Sequence, residues 1–317
     1  MLTHYPTISI ITPSYNQGAY IEQTILSIIN QGYPNLEYII IDGGSTDDTV
    51  QIIEKYAAHI TYWVSEPDKG QSDAINKGLA HCTGTIFNWI NSDDYLEPGA
   101  LFAIAHAFMQ HPQALQVSGY CRIFEEGTNA TMQLHRCMLF ADTATTIVEQ
   151  RINQPGAFYQ LAVVKALGGV NTQLHYVMDL ALWLRFLCAY GQERIVLIDD
   201  TIAHFRVHPN SKTASFEERF RKESAGLYRS ILSDLQAAPA LVQYFAVNER
   251  YQPEPWSYAA VQTTEMEQAI AAYYIYQFYK AGDYAATKIA MQRLRQQGKF
   301  PLHWNHCRML LKVYTGI

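Results

Sequence analysis

Cysteine is sparse. Five residues, at positions 82, 121, 137, 188 and 307, form no C-x-x-C pair and make an odd total. That pattern argues against a disulfide framework or a cysteine-based zinc site and fits a reducing compartment. Charge is also low, at 16% of the 317 residues, with 23 Lys and Arg against 29 Asp and Glu and a net charge of -6. A negative balance argues against nucleic acid as a partner. No apolar run reaches membrane-spanning length; the nearest, Ala269 to Tyr279, is short and interrupted by Gln277. The opening MLTHYPTISIITPSYN lacks the basic start and apolar stretch of a secretion signal, and reads as a strand entering a loop. The expectation is a cytoplasmic protein. The first loop, Pro13-Ser-Tyr-Asn-Gln-Gly18, lacks GxGxxG, which sets aside dinucleotide-dependent redox chemistry. No glycine-rich, basic triphosphate loop lies near the N-terminus, and no reliable repeat is found.

What is present is a core and a rhythm. The 49% hydrophobic content belongs to a globular chain. Over the first hundred residues short β-rich runs alternate with helical periodicity. Strands are predicted at Ile8 to Thr12, Glu37 to Ile41, Ile60 to Val64 and Thr85 to Ile90. Helices are predicted at Ala19 to Asn30, after a cap at Ser45, Thr46 or Asp47, at Asp73 to His81, and from Pro98 onward. Repeated β-α-β units imply a parallel sheet, and ligands of such sheets bind beyond the carboxyl ends of the strands. Every one of those ends carries polar residues: Ser14, Tyr15 and Asn16; Asp42; Ser65, Glu66 and Asp68; Asn91, Asp93 and Asp94. That coincidence points to a site.

Further along, a helix is predicted at Tyr176 to Leu187 and strands at Ile195 to Ile198 and Ile202 to Val207. From about residue 215 the pattern turns helical. Ser215-Phe-Glu-Glu resembles a capping box, Pro253-Glu-Pro interrupts, and Glu265 to Ala281 with Tyr284 to Gln297 reads as a helix pair. The expected division is 1–214 for the α/β domain and 215–317 for a helical region.

The segment Trp89-Ile-Asn-Ser-Asp-Asp94 delivers Asn91, Asp93 and Asp94 to an open strand end. Adjacent carboxylates repel, and a divalent cation relieves the repulsion. Alone, such a pair is more often a strand-ending turn with a helix cap.

Four blocks change that reading: Ile10-Ile-Thr-Pro-Ser-Tyr-Asn16, Ile41-Asp-Gly-Gly-Ser-Thr-Asp47, Ser65-Glu-Pro-Asp-Lys-Gly-Gln-Ser-Asp-Ala-Ile-Asn-Lys-Gly78, and Trp89 to Asp94. In order and spacing, residues 8 to about 210 resemble the GT-A-fold glycosyltransferases of family 2, mostly inverting enzymes. The third block resembles transferases of bacterial O-antigen and capsule assembly. The resemblance implies a metal-dependent enzyme that moves a sugar from a nucleoside-diphosphate donor, a UDP-sugar, to a hydroxyl of a glycan or lipid-linked acceptor. On it, Thr12, Pro13 and Tyr15 line the nucleobase and ribose pocket, while Asp42 and Asp68 contact the nucleotide. Asp93 is the principal contact for Mn²⁺ or Mg²⁺, with Asn91 in the place of the family's first Asp and Asp94 beside the donor sugar or the metal. Asp179, in Tyr176-Val-Met-Asp179, matches the acceptor-activating acid, and Gln154 is a donor or acceptor contact.

Phe205-Arg-Val-His-Pro-Asn-Ser-Lys212 resembles a closing loop in which Arg206, His208 or Lys212 reaches the diphosphate and His208 completes the metal shell. Two departures stand out: Gly43 where many members have a second Asp, and Asn91 itself. A nucleotide-sugar-binding protein without transfer activity is the alternative if Asn91 abolishes metal binding. The tyrosines at 273, 274, 276 and 279 are expected to pack a helical core. The basic residues from Lys280 to Lys312, with Phe300 and Trp304, are either a solvated face or a peripheral contact with anionic lipid.

Overall fold

The computed structural model describes residues 4–209, 216–246, 256–296 and 313. In chain order its elements are β1 (Ile8–Ser14), α1 (Ile21–Ile29), β2 (Leu36–Asp42), α2 (Thr49–Lys55), β3 (Tyr62–Ser65), α3 (Gln71–His81), β4 (Ile86–Trp89), β5 (Tyr95–Leu96), α4 (Ala100–Gln110), β6 (Gln116–Glu125), β7 (Thr131–His135) and α5 (Thr143–Glu149). There follow β8 (Ala157–Gln160), α6 (Leu161–Ala166), α7 (Met178–Tyr190), β9 (Ile195–Val207), α8 (Glu217–Asp234), α9 (Pro239–Tyr244), α10 (Thr263–Lys280) and α11 (Tyr284–Gln296). None of the helices among the described residues is long and apolar enough to cross a membrane.

Two compact units result. One comprises Met1–Met138, Arg151–Phe186 and Glu193–Glu217; the other comprises Leu139–Gln150, Leu187–Gln192 and Glu218–Ile317. The expected single cut at 214/215 is therefore refined. Two short segments from the first part of the chain, one of them holding α5, group with the C-terminal helices.

The first unit is one sheet in the order β3-β2-β1-β4-β8-β6-β9-β5, with β7 paired to β6. Strands β3, β2, β1 and β4 are parallel, as the β-α-β rhythm predicts. Beyond β4 the sheet turns mixed: β8 runs antiparallel to both β4 and β6, while β6 and β9 are parallel. Periodicity within single strands carries no information about those long-range pairings. Every residue of β1 is buried, consistent with a central strand covered on both faces. Pro13 sits in it without harm. The pairing with β4 ends at Ile11 opposite Trp89, so the ring falls where no ladder donor is needed.

The core joins Ile8, Ile10 and Ile40 of the sheet to Ile25 and Ile28 of α1 and Ile104 of α4. Each such side chain contributes roughly 1.5–3 kcal/mol on burial. The two strands expected at 195–198 and 202–207 are one 13-residue strand, β9. Its pairing with β6 shifts register around Tyr120. Gly119 permits this: a Cβ there would lie 2.4 Å from Ile202 Cγ1 and 2.7 Å from the Asp200 carbonyl.

The second unit is helical. Tyr228 donates its hydroxyl to the carbonyls of Ile147 and Val148 at the end of α5, at 2.9 and 3.1 Å. Buried Glu267 of α10 accepts from the Ala238 N–H at the start of α9, at 2.6 Å, and pairs with Arg293 Nε, also at 2.6 Å. Arg293, counted in sequence among basic surface residues, thus serves the helical packing. Tyr274 and Phe278 join Tyr228, Tyr244 and Phe245 in an aromatic cluster, but Tyr273 and Tyr276 are exposed. Residues 274 and 278 share one helix face, and 273 and 276 lie off it. The capping box of this region is at Gln262 and Glu265. The box expected at Ser215, the Pro253-Glu-Pro break, Lys212, and the tail positions Lys299, Phe300, Trp304, Arg308 and Lys312 lie outside the described residues.

Candidate active site

Two loops leave the carboxyl ends of β1 and β2 and are zipped together. The Asn16 N–H donates to Ser45 Oγ at 2.7 Å, and Asn16 Oδ1 accepts from the Thr46 N–H at 2.9 Å. Gln17 N–H donates to Thr49 Oγ1 at 2.8 Å and Gly18 N–H to Asp47 Oδ2 at 2.9 Å. Asn16 holds φ at 51°, a left-handed conformation that asparagine tolerates better than most residues. Asp47 also accepts from the Thr49 N–H at 3.0 Å and so orders the start of α2. Ser45, another expected cap, spends its hydroxyl on Asp42. Tyr15 stands 60% exposed beside this wall, whereas Thr12 and Pro13 are buried, with Thr12 Oγ1 3.1 Å from the Tyr38 hydroxyl. Of the three expected pocket residues, only Tyr15 presents its side chain to solvent.

Asp42 is wholly buried. Its Oδ2 accepts from the N–H groups of Gly44 and Ser45, at 3.1 and 2.8 Å, and from Ser65 Oγ at 2.7 Å; its Oδ1 accepts from Ser45 Oγ at 2.5 Å. In this structure the carboxylate shapes the loop at which the nucleotide contact is expected. Asp68, at the end of β3, is half-buried and accepts from the Gly70 N–H at 2.7 Å. A Cβ on Gly43 would lie 2.8 Å from its Oδ2. The Asp68 carboxylate therefore fills the space a side chain at 43 would need, which accounts physically for the glycine.

The turn after β4 is clamped by Thr24 of α1, whose hydroxyl meets the carbonyls of Ser92 and Asp94 at 2.9 and 2.6 Å. Asn91 bridges. Its Oδ1 accepts from Gln71 Nε2 at 2.7 Å, and its Nδ2 donates to Asp94 Oδ2 at 3.2 Å. Asp94 is buried and takes the Arg206 N–H on Oδ1 at 3.1 Å. Burial, and then the neighbouring Asp93 charge, hold the Asp94 carboxyl well above the usual range. Asp93 is partly exposed, and its Oδ2 lies 3.1 Å from Nε2 of buried His208. The His208 ring leans on Tyr20, centroids 4.7 Å apart.

Arg206 is anchored. Its Nε donates to the Asp93 carbonyl at 3.0 Å, a terminal nitrogen donates to Gln23 Oε1 at 2.5 Å, and its guanidinium lies over Tyr20 and Phe124, 5.1 Å from each centroid. It braces the carboxylate turn, beside which a diphosphate contact is expected of it.

The donor set can be tested for the divalent cation. Among the described residues there is no cluster of three or more His, Cys, Asp or Glu able to hold one. Asp93 and His208 supply two donors. Cis ligands of an octahedral cation with bonds of about 2.1 Å stand about 3 Å apart, close to the observed separation. The pair fits a cation whose remaining ligands come from substrate and water. Asn91, the third expected ligand, has its amide oxygen engaged by Gln71.

Asp179 lies in the first turn of α7, half-buried between buried Met178 and Leu180. The segment before it rests on α3: Ser72 Oγ donates to the Leu174 carbonyl at 2.9 Å, and Asn76 Nδ2 to the Val170 carbonyl at 2.7 Å. Thus α3 links Asn91, through Gln71, to the approach of α7. Gln154 is buried, and its Nε2 donates to Asn88 Oδ1 and the Trp89 carbonyl at 3.0 and 2.8 Å. Its amide nitrogen pins its own loop to β4. Thr24 and Gln23 of α1 and Tyr20 just before it were not legible as site residues, because positions on and beside a helix carry no local signal that they face another strand's end.

Residues 9–165 match the model described as Glycosyl transferase family 2. TuaG of Bacillus subtilis (strain 168), named as a teichuronic acid biosynthesis glycosyltransferase, is 29% identical over 254 residues, 75% of this chain and 94% of its own. Among solved structures, Staphylococcus aureus TarS 1–349 in complex with UDP-GlcNAc superposes with a TM-score of 0.59 at 16% identity, covering 90% of this chain and 79% of that one. The mannosyltransferase PcManGT of Pyrobaculum calidifontis, in complex with GDP-Man and Mn²⁺, gives 0.57 at 17% identity, covering 99% of this chain and 82% of that one. Through residues 9–165 the chain belongs to glycosyl transferase family 2, and it is a glycosyltransferase of the GT-A fold.

Proposed function

We propose that the protein transfers a sugar from a UDP-sugar, with inversion, to a hydroxyl of a glycan or lipid-linked acceptor in the synthesis of a cell-surface polysaccharide such as an O-antigen. The reading rests on one observation above the rest: Asp93 and His208 converge beside the zipped loops at the strand ends. TuaG, named for a cell-wall polymer, and the UDP-GlcNAc complex of TarS support the substrate class. Tyr15 and Asp68 receive the nucleotide against the wall built by Asn16, Ser45 and Asp47. Asp93 and His208 would hold a divalent cation, Mn²⁺ or Mg²⁺, which would supply positive charge to the departing diphosphate. Asp179 accepts the proton of the acceptor hydroxyl. That oxygen then attacks the anomeric carbon from the face opposite the diphosphate, which leaves with the bonding electrons. Such a reaction belongs in the cytoplasm, at or near the membrane that carries a lipid-linked acceptor.

The test is calorimetry with UDP, with and without Mn²⁺, followed by a screen of nucleotide sugars for donor hydrolysis. Mn²⁺-dependent UDP binding with turnover of one donor is expected. UDP binding with no turnover of any donor or acceptor would leave a nucleotide-sugar-binding protein.

A further inference from the structure

Behind Asp179 lies a layer of buried polar groups that the transfer chemistry does not use. Gln116 and Ser118 sit two residues apart on β6, hence on one face, and both are wholly buried. Gln116 Oε1 and Nε2 have no hydrogen-bond partner among the described residues, and Ser118 Oγ meets only the Cys137 thiol, a weak partner. Tyr159 of β8 stands directly opposite Gln116 and so shares its face.

Helix α7 covers that face. Phe186 meets the Tyr159 ring edge-on, with centroids 5.7 Å apart. One turn earlier, wholly buried Trp183 also has an Nε1–H without a partner among the described residues. One turn earlier again comes Asp179, whose charge is felt at the Tyr159 hydroxyl.

An unpartnered buried polar atom costs about 1–3 kcal/mol. Three such atoms, on Gln116 and Trp183, would consume much of a domain's usual stability, about 5–15 kcal/mol. Folded proteins meet this need with enclosed water, which makes roughly two to four bonds and matches mixed donors and acceptors. The set here is mixed: Trp183 donates, Gln116 donates and accepts, and Ser118 does either.

We infer that ordered water enclosed between β6, β8 and α7 bridges Gln116, Ser118 and Trp183, and that this hydrated seat fixes the position of the turn carrying Asp179. Gln116 and Trp183 are positioning residues. The second half of the inference rests on Asp179 acting as the base.

The sign of a stability change tests the water. In a dry interface, Gln116→Leu deletes two unsatisfied atoms and raises the melting temperature. In a hydrated one it strands Ser118 and Trp183, and the melting temperature falls by roughly 2–4 °C or more. The fall is expected, and a rise overturns the inference. If Gln116→Leu does not fold, Gln116→Met, which keeps the length and volume and likewise removes both polar atoms, replaces it, and the same signs apply.

Positioning is read from hydrolysis of whichever UDP-hexose or UDP-N-acetylhexosamine the parent turns over fastest. Trp183→Phe and Gln116→Leu should lower kcat severalfold at unchanged donor KM; an unchanged kcat overturns the positioning role. Asp179→Asn is run beside them. Parental turnover in that variant would remove the base assignment itself, while the melting temperatures still decide the water.

Discussion

Asp93 Oδ2 and His208 Nε2 lie 3.1 Å apart although 115 positions separate them in the chain. One residue lies between β4 and β5 and the other follows β9, and the antiparallel pairing of Tyr95 in β5 with His204 in β9 brings the two together. Asp93→Ala and His208→Ala should each lower Mn²⁺-dependent UDP affinity tenfold or more, about 1.4 kcal/mol. The double variant should lose little beyond either single one, since each alone breaks the pair. Titration calorimetry with Mn²⁺ and with EDTA checks this. Additive losses would show that the two residues act on separate groups.

Asn91→Asp carries a cost that the sequence does not reveal. The amide donates to Asp94 Oδ2, and Asp94 is buried. An acid there removes the donor and sets a third carboxylate beside Asp93 and Asp94. Without metal the variant should lose about 1–3 kcal/mol of stability, and Mn²⁺ should restore part of it by binding more tightly. Thermal denaturation in EDTA and in Mn²⁺ measures both effects. Equal melting in EDTA would mean that the amide bond contributes nothing.

Asp179→Asn keeps the shape of the side chain but cannot accept a proton. Transfer should fall roughly 10²–10⁴-fold with UDP affinity little changed. Collapse of UDP binding instead would make Asp179 a donor-site residue.

Acid should loosen the other end of the sheet through Glu37. Its carboxylate accepts from Ser9 Oγ, from the Thr83 N–H at 2.8 Å and from Thr83 Oγ1 at 2.7 Å. Burial alone would raise its pKa, but the donors from Ser9, Thr83 and Gly84 outweigh it and hold the group below its ordinary 4.5. A depressed folded-state value means that the stabilisation is present above 4.5 and lost as pH falls through the lower value. Glu37→Gln should flatten that part of the acid limb in a plot of melting temperature against pH. An identical acid limb in the variant would assign the loss to other carboxylates.

A chain ending at 214 should not be the intact catalytic unit that the sequence division suggests. Helix α5 carries buried Ala144, Ile147 and Val148 and bonds to Tyr228 of α8 through two carbonyls. Without its partners each exposed aliphatic side chain forfeits up to roughly 1.5–3 kcal/mol. Lower melting temperature and increased binding of a hydrophobic dye are expected. A truncation as stable as the parent would show that α5 needs no cover.

The parallel half of the sheet was legible because strand and helix there alternate with short loops, and local periodicity suffices. So was the gathering of Asp68, Asn91 and Asp93 at the strand ends, which follows from topology. The antiparallel insertion of β8, the merging of two runs into β9 and the assignment of α5 to the helical unit depend on contacts between distant segments. Side-chain occupancy was the least legible. No local pattern announces that polar groups of Asp42 meet Ser45 and Ser65, that Gln154 meets Asn88, or that Arg206 meets Asp93 and Gln23.

The closeness of Gly43 to Asp68 makes those two positions one character with two spellings. An acid can stand at the end of β2 or at the end of β3, but a side chain at 43 forces the Asp68 carboxylate to swing away from its present place. A lineage or an engineer moving it from one strand to the other must pass through a chain with two acids in conflict or with none. Donor preference linked to this corner should therefore change by paired substitutions, and a change at 43 or 68 alone should read as loss rather than as a switch.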